Sequence, residues 1–217
     1  MSETAFTAAE IENMFTNEGR YIFARWSRPI APVVFGTDDE SLAVFKDAFA
    51  TVASLGDMLL AETDPELGAN FLVFLCTDWS EIKEVPNLNR LLANVDDLVT
   101  ELDRTGANQY RSFAFDPTGA IKLCVLLLKY DDDMAKISAQ ALATGQMAQA
   151  MLLWSPAAFL KKSPIGIIEA NNMAIVRPAV AALIRAAYDK TMPDTASDVS
   201  HALRLEARVV QLMGGDC

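Results

Sequence analysis

Residues 110–130 read YRSFAFDPTGAIKLCVLLLKY, a stretch that predicts a β-hairpin. In residues 110–115, polar and apolar side chains alternate in part, which is the period of a β-strand. The next four residues, DPTG at 116–119, have proline in the second place and glycine in the last, which is typical of a β-turn. Residues 120–130 are then predicted to form the returning strand of the hairpin.

Two more strands and three helices are predicted before the hairpin. Arg28 to Phe35 contains Pro29 and Pro32, which cannot donate to a ladder, so an edge strand or the approach to one is expected. Asn70 to Cys76, NFLVFLC, is apolar on both faces and predicts an interior strand. Capping boxes and helical spacing predict helices at 8–17 after Thr7–Glu10, from Thr37–Glu40 to Gly56, and at 88–102.

The second half of the chain is predicted to be helical. Asp131 to Asp133 is expected to cap a helix that runs to Ser155-Pro156, and two more helices are expected at about 178–189 and 197–213, the last ended by Gly214-Gly215. Strands that precede helices predict an α+β fold. We therefore expect one domain over residues 1–217, with a mixed sheet of four or five strands, helices mainly on one face and a helical C-terminal part.

The charge of the chain limits its partners. The formal net charge is −11, and the longest cationic run is Lys161-Lys162, so a phosphate backbone or an anionic membrane surface would be repelled. Residues 1–15 lack the apolar run of a signal peptide, and no stretch reaches the roughly 18–20 apolar residues of a membrane span. The sequence therefore predicts a cytoplasmic protein that binds neither nucleic acid nor membranes.

The three cysteines fit this expectation. Cys76 and Cys124 lie within apolar runs, where a free thiol behaves as a small hydrophobic group, and Cys217 is the last residue. An odd number of cysteines gives no disulfide framework. A disulfide between Cys76 and Cys124 would form only if the two residues lie on neighbouring strands and the protein resides in an oxidising compartment.

The predicted helix at 141–155, ALATGQMAQAMLLWS, has glutamines where a metal protease has functional groups. The motif H-E-x-x-H places two histidine ligands four residues apart and a glutamate after the first, and here these positions hold Gly145, Gln146 and Gln149. In the extended motif, the later glycine and third ligand correspond to Leu152 and Ser155. None of these side chains is an ordinary zinc ligand, and an amide cannot accept a proton from water as a carboxylate does. We therefore predict no metal, no cofactor and no catalytic residue, and we take Gly145, Gln146, Gln149 and Ser155 as candidate binding residues.

The comparison with metal proteases rests on a resemblance, because spacing alone would fit any helix. The segments that carry it are RWSRPI at 25–30, ANFLV at 69–73, GAI at 119–121, QAMLL at 149–153, and AYD at 187–189 with MP at 192–193. These segments resemble a mostly proteobacterial family, domain of unknown function 2927, which is itself similar to zincin metalloproteases. The resemblance covers nearly the whole chain in outline and implies a zincin-like fold. Family members usually look exported and carry acidic residues at the start of the helix motif, where this chain has Gly145-Gln146.

The leading hypothesis is a non-catalytic zincin-like domain that binds a peptide or protein, for example by addition of a peptide strand to a sheet edge. Gln146 and Gln149 would then either hydrogen-bond inside the core or face a cleft left by the lost metal. The alternative is a hydrolase of unknown substrate that uses acidic residues rather than a histidine-bound metal, with candidates among Asp131–Asp133, Glu81 and Glu84.

A third hypothesis is a subunit that functions in assembly. It predicts a large exposed apolar patch around Phe159, Ile165 and Ile167. The only histidine, His201, lies on the last predicted helix, and we expect it at the protein surface.

Overall fold

The computed structural model describes residues 3–214, so Gly215 and Cys217 lie outside the described residues. Within that range the chain forms seven α-helices, which are α1 (Ala8–Phe15), α2 (Asp39–Ala53), α3 (Ser80–Lys83), α4 (Val95–Thr105), α5 (Ala139–Ala150), α6 (Pro178–Ala187) and α7 (Ser200–Gly214). The same range contains ten β-strands, which are β1 (Thr16–Asn17), β2 (Arg20–Tyr21), β3 (Phe23–Ala24), β4 (Pro32–Phe35), β5 (Phe71–Cys76), β6 (Gln109–Phe115), β7 (Ile121–Lys129), β8 (Ile165–Ile168), β9 (Met173–Val176) and β10 (Thr195–Ala196). Short 3₁₀ turns occur at Ser54–Gly56, Leu88–Arg90 and Met134–Lys136.

The main sheet has four strands in the order β4-β5-β7-β6. Strands β4, β5 and β7 are parallel, whereas β6 is antiparallel to β7 and is joined to it by the hairpin turn. The mixed α+β fold, the hairpin, the interior position of β5 and the edge position of β4 are therefore as predicted from the sequence. Strand β6 forms the opposite edge.

Alternate residues of the two central strands supply two separate cores. Phe71 and Cys124 belong to the larger core, together with apolar residues of α1, α2, α5, α6 and α7. Phe74 and Val125 point to the other face, where a smaller core includes Trp79 and residues of α3 and α4. Most helices thus lie on one face, as expected, and the other face is also covered.

Several helix boundaries differ from the prediction because more than one residue could act as a cap. The N-cap of α2 is Asp38, whose side chain accepts from the Ser41 N–H at 2.7 Å, rather than Thr37. Asp131 caps the 3₁₀ turn, and Ser138 caps α5. The predicted helix at 88–102 is divided, because Asn94 adopts a left-handed conformation (φ 51°) just before α4 begins.

The end of α5 and the C-terminal part also differ from the prediction. Helix α5 ends at Ala150, and Leu152 then forms a β-bridge with Arg25, so Leu152 and Ser155 do not lie on the helix. The region after it is not purely helical, because β8 and β9 form an antiparallel hairpin. The two strands are only four residues long, which leaves little periodicity to recognise in the sequence.

The two internal cysteines are free and buried. Cys124 lies opposite Phe71 and Cys76 lies opposite Lys129 in the β5–β7 ladder, and the two side chains point into different cores. Pairing between them is therefore excluded by the strand register. Among the described residues, no helix combines the length and the apolar character needed to cross a bilayer.

Candidate functional site

Helix α5 is a core helix that is surrounded on all sides. Ser138 caps it by accepting from the Ala141 N–H at 3.2 Å, and the alanines that follow allow close packing. Nine of its twelve residues are buried. A helix buried all round must satisfy its polar side chains internally, so the partners of its glutamines define what this region can do.

The amides of Gln146 and Gln149 point toward β6. Gln146 is 5% exposed, and its Nε2 donates to Oε1 of Gln109 at 2.9 Å. The guanidinium of Arg111 donates to Oε1 of Gln146 and, at 3.4 Å, to Oε1 of Gln149. These four side chains, which we call the amide cluster, connect α5 to the edge strand of the sheet.

Arg111 brings a buried positive charge into the amide cluster. Its Nε is buried and has no hydrogen-bond partner in residues 3–214, and burial lowers the pKa of its guanidinium. Its two partners are neutral amide oxygens, whereas a buried cation is commonly paired with a carboxylate. A metal ion bound beside Gln146 would therefore meet both a repelling charge and side chains that are poor ligands. Residues 3–214 contain no group of three or more His, Cys, Asp or Glu side chains arranged to hold a metal.

The structure does not bring the four candidate binding residues together. Gly145 faces Ile165 of β8, whose Cδ1 would lie 3.7 Å from a Cβ placed on the glycine. Ser155 lies beyond the helix, where its Oγ donates to the Asn13 carbonyl oxygen at 3.0 Å and its N–H donates to the Met14 carbonyl oxygen at 2.7 Å. Only Gln146 and Gln149 share an environment.

The backbone of β6 has an open edge beside the amide cluster. The Lys129 N–H donates to the Asn108 carbonyl oxygen at 2.9 Å, which fixes the phase of the antiparallel ladder. Every second residue from Asn108 onward, up to Ala114, therefore bonds to β7. The residues between them, Gln109, Arg111 and Phe113, direct their N–H and C=O groups away from the sheet. No other backbone group of the described chain forms a hydrogen bond with them.

Two of the acidic residues considered as catalytic candidates, Asp131 and Glu81, act as caps. Asp131 accepts from the Met134 N–H at 2.7 Å, and this bond, together with one from Asn108, lowers the pKa of its carboxyl group. Glu81 accepts from the Thr77 hydroxyl at 2.6 Å, and the pKa of Glu81 is also lowered. A general acid requires the opposite shift, so this geometry favours structural roles for both.

His201 is buried, which corrects the expectation of a surface position. Its side chain is packed between α7 and the N-terminal strands, where Nδ1 lies 2.8 Å from the Tyr21 hydroxyl and the ring centroid lies 4.4 Å from that of Phe23. The residue is 3% exposed, and burial lowers the pKa of the imidazole to about 4. No local pattern around His201 indicates this burial, because Tyr21 and Phe23 are about 180 positions away along the chain.

The sequence also missed a large cavity, because its walls come from distant segments. It has a volume of about 1250 Å³ and lies between α2, β9 and α6.

The chain matches no protein-family model, and it has no match among curated proteins or among solved structures. What this protein does must therefore be inferred from its own residues.

Proposed function

We propose that this chain is a non-catalytic, zincin-like domain that binds an extended peptide segment of a partner protein along the open edge of β6. The observation that carries the proposal is the row of unpaired backbone groups on Gln109, Arg111 and Phe113. An added strand could use three N–H donors and three C=O acceptors there. Recognition by strand addition obtains its affinity from such main-chain bonds and its specificity from neighbouring side chains.

Strand β6 suits this role better than the other edge of the sheet. Strand β4 has four residues and begins with Pro32, which has no N–H, whereas β6 has seven residues and no proline. Prolines and short length are devices that protect an edge from pairing. The sequence pointed to the proline-containing strand, so the proposed peptide site moves to the opposite edge.

The amide cluster supports the edge from behind. Gln109 and Arg111 are held from α5 through their side chains, so two of the three outward residues are fixed before a partner arrives. Preorganisation of this kind lowers the entropy that binding must overcome. At the end of the strand, Phe115 is 44% exposed and offers an apolar contact to a bound segment.

A binding role fits the chemistry of α5 better than hydrolysis does. Gln146 cannot act as a general base, and the Arg111 guanidinium occupies the space beside it. The buried thiols of Cys76 and Cys124 suit a reducing compartment, and we place the proposed activity in the cytoplasm. The net charge of −11 makes a protein partner more favourable than a nucleic acid.

A selection from a random heptapeptide phage library, followed by calorimetry, tests the proposal. Gln109→Pro removes an outward N–H without removing a bond to β7, because proline is tolerated where the N–H faces solvent. The selected peptides should bind this variant about 2- to 13-fold more weakly, the range expected for one hydrogen bond. The matched control Gln109→Ala loses the same side chain but keeps the N–H, so it should bind more tightly than Gln109→Pro by the contribution of that N–H. A selection that yields no binders, or binders that do not distinguish the two variants, would contradict the proposal.

A further inference from the structure

The large cavity combines an apolar wall with cationic groups. Its charged lining residues are three cations, Lys162, Arg177 and Arg185, and two acids, Glu3 and Asp47. This balance is unusual for a chain with a net charge of −11. The apolar wall is supplied by the 3₁₀ turn after α2, by β9 and by α7, mainly through Leu55, Met173, Ile175, Val176, Leu212 and Met213.

A carboxylate from the chain itself already occupies the cationic part of the cavity. Glu3 Oε1 accepts from the Lys162 ammonium at 2.7 Å and from the Arg177 guanidinium. Glu3 Oε2 accepts from the Ala179 N–H at 3.2 Å, in the first turn of α6, where the helix dipole also favours an anion. Two cations and one backbone amide thus bind both oxygens of a single carboxylate.

The exposed fractions of Glu3 and Arg177 and the pKa of Glu3 show that this contact is strong. The side chains of Glu3 and Arg177 are only 15% and 11% exposed. Burial alone would raise the pKa of Glu3, but the hydrogen bonds from Lys162, Arg177 and Ala179 have a larger combined effect and lower it. The pocket is therefore well matched to an ionised carboxylate.

No part of residues 3–214 occupies the apolar wall in the same way. Met173 is 44% exposed, Ile175 39% and Leu212 37%, although all three line the cavity. Of residues 3–7, the described part of the segment before α1, only Glu3 and Thr4 line the cavity. Within the described part of the chain, the carboxylate position is filled and the apolar surface beside it is exposed.

We propose that this cavity binds a small carboxylic acid with an apolar chain, and that Glu3 takes the position of the ligand's carboxylate in the free protein. The ligand's carboxylate displaces Glu3 from Lys162, Arg177 and the α6 amide, and its chain covers the exposed apolar wall. The segment before α1 thereby acts as a tethered competitor. This site goes beyond the proposed peptide edge, because none of the β6 residues contributes to the cavity lining.

Removal of the competitor should strengthen ligand binding. The apparent affinity of a ligand falls with the fraction of protein in which its site is available. Glu3→Gln replaces the ionised carboxylate by a neutral amide, which binds cations more weakly. We therefore expect octanoate to bind this variant about tenfold more tightly than it binds the wild type. Arg177→Met, which removes the buried guanidinium, should weaken octanoate binding about tenfold or more.

Isothermal titration calorimetry at pH 7 provides the test, with octanoate as the probe and 1-octanol as the uncharged control. Glu62→Gln is the matched control variant, because Glu62 is exposed, does not line the cavity and makes no ion pair with residues 3–214. Hexanoate, octanoate and decanoate should differ by up to about fourfold in affinity per added methylene, the factor for burial of one CH₂. Gln109→Pro should leave octanoate binding unchanged, which separates this site from the peptide edge.

Three results would overturn the proposal: no binding of octanoate to Glu3→Gln, equal binding of 1-octanol and octanoate, or an equal effect of Glu62→Gln and Glu3→Gln. If Arg177→Met does not fold, Lys162→Met serves in its place, with a smaller weakening expected because Lys162 is 66% exposed. Tighter binding to Glu3→Gln together with a dependence on the ligand's charge would support the proposal.

Discussion

Truncation of Gln146 tests the energetic role of the amide cluster. Gln146→Ala removes an acceptor of the buried Arg111 guanidinium and the donor to Gln109. A hydrogen bond to a charged group contributes about 1.5–3 kcal/mol, and one between neutral groups about 0.5–1.5 kcal/mol. The free energy of unfolding should therefore fall by about 3 kcal/mol.

A double-mutant cycle isolates the part that depends on Arg111. In an Arg111→Met background, Gln146→Ala should cost less, with a coupling energy of about 1.5–3 kcal/mol. Gln149→Ala should show weaker coupling, because its oxygen lies 3.4 Å from the guanidinium. Gln140→Ala is the control on the same helix, since its amide bonds instead to the backbone of Ala174 and should be additive with Arg111→Met.

Urea unfolding followed by tryptophan fluorescence measures all of these variants. The m-value should stay constant, so that shifts in the midpoint report stability. A coupling between Gln146 and Arg111 below about 0.5 kcal/mol, within the range of additive pairs, would show that the guanidinium does not depend on the amide. That result would refute the description of α5 and β6 as one energetic unit.

Two further predictions follow from the buried groups. The pKa of His201 is about 4 in the folded protein, below its ordinary value of 6.5, so the unfolded chain binds the extra proton between these pH values. The stability that depends on a neutral His201 is therefore fully present above about pH 6.5 and falls toward pH 4, by on the order of 3 kcal/mol. Urea titrations at several pH values should show a smaller fall for His201→Phe, and equal falls would contradict the assignment. Protein purified without chelator should contain well below one zinc per chain by atomic absorption, because Arg111 lies beside Gln146; stoichiometric zinc bound on α5 would be incompatible with this arrangement.

Local patterns in the sequence predicted those parts of the fold that local interactions determine. The capping box of α1 is present with both of its bonds, from the Glu10 N–H to Thr7 and from the Thr7 N–H to Glu10. The hairpin and β5 can be predicted because their signals lie within six or seven residues. An edge strand alternates polar and apolar residues, whereas an interior strand is apolar throughout. Here sequence and structure agree without help from distant contacts.

Features that depend on distant contacts were missed. Asp131 and Ser138 are both competent caps, and packing decides which of them begins the long helix. The end of α5 is set by the bridge between Leu152 and Arg25, which no local pattern records. Helix α5 is buried all round, so it has no apolar stripe from which its length could be read.

The same limit applies to the candidate site. The sequence identified Gln146 and Gln149 as unusual residues in a buried helix, but not their partner Arg111, which lies 35 residues before Gln146. The alternation of polar residues in β6 predicts a strand, but it does not indicate which helix the polar side chains contact. Glu3 and Arg177 are 174 residues apart, so their contact could be found only from the structure.

Amide hydrogen exchange measured by NMR, with and without a selected peptide, tests the central claim most directly. In the free protein, the amides of Tyr110, Ser112 and Ala114 should exchange slowly because they bond to β7, whereas those of Gln109, Arg111 and Phe113 should exchange fast. The peptide should slow the second set by about tenfold or more and leave the first set unchanged. Equal protection of both sets in the free protein, or a peptide effect confined to other parts of the chain, would contradict binding at the β6 edge.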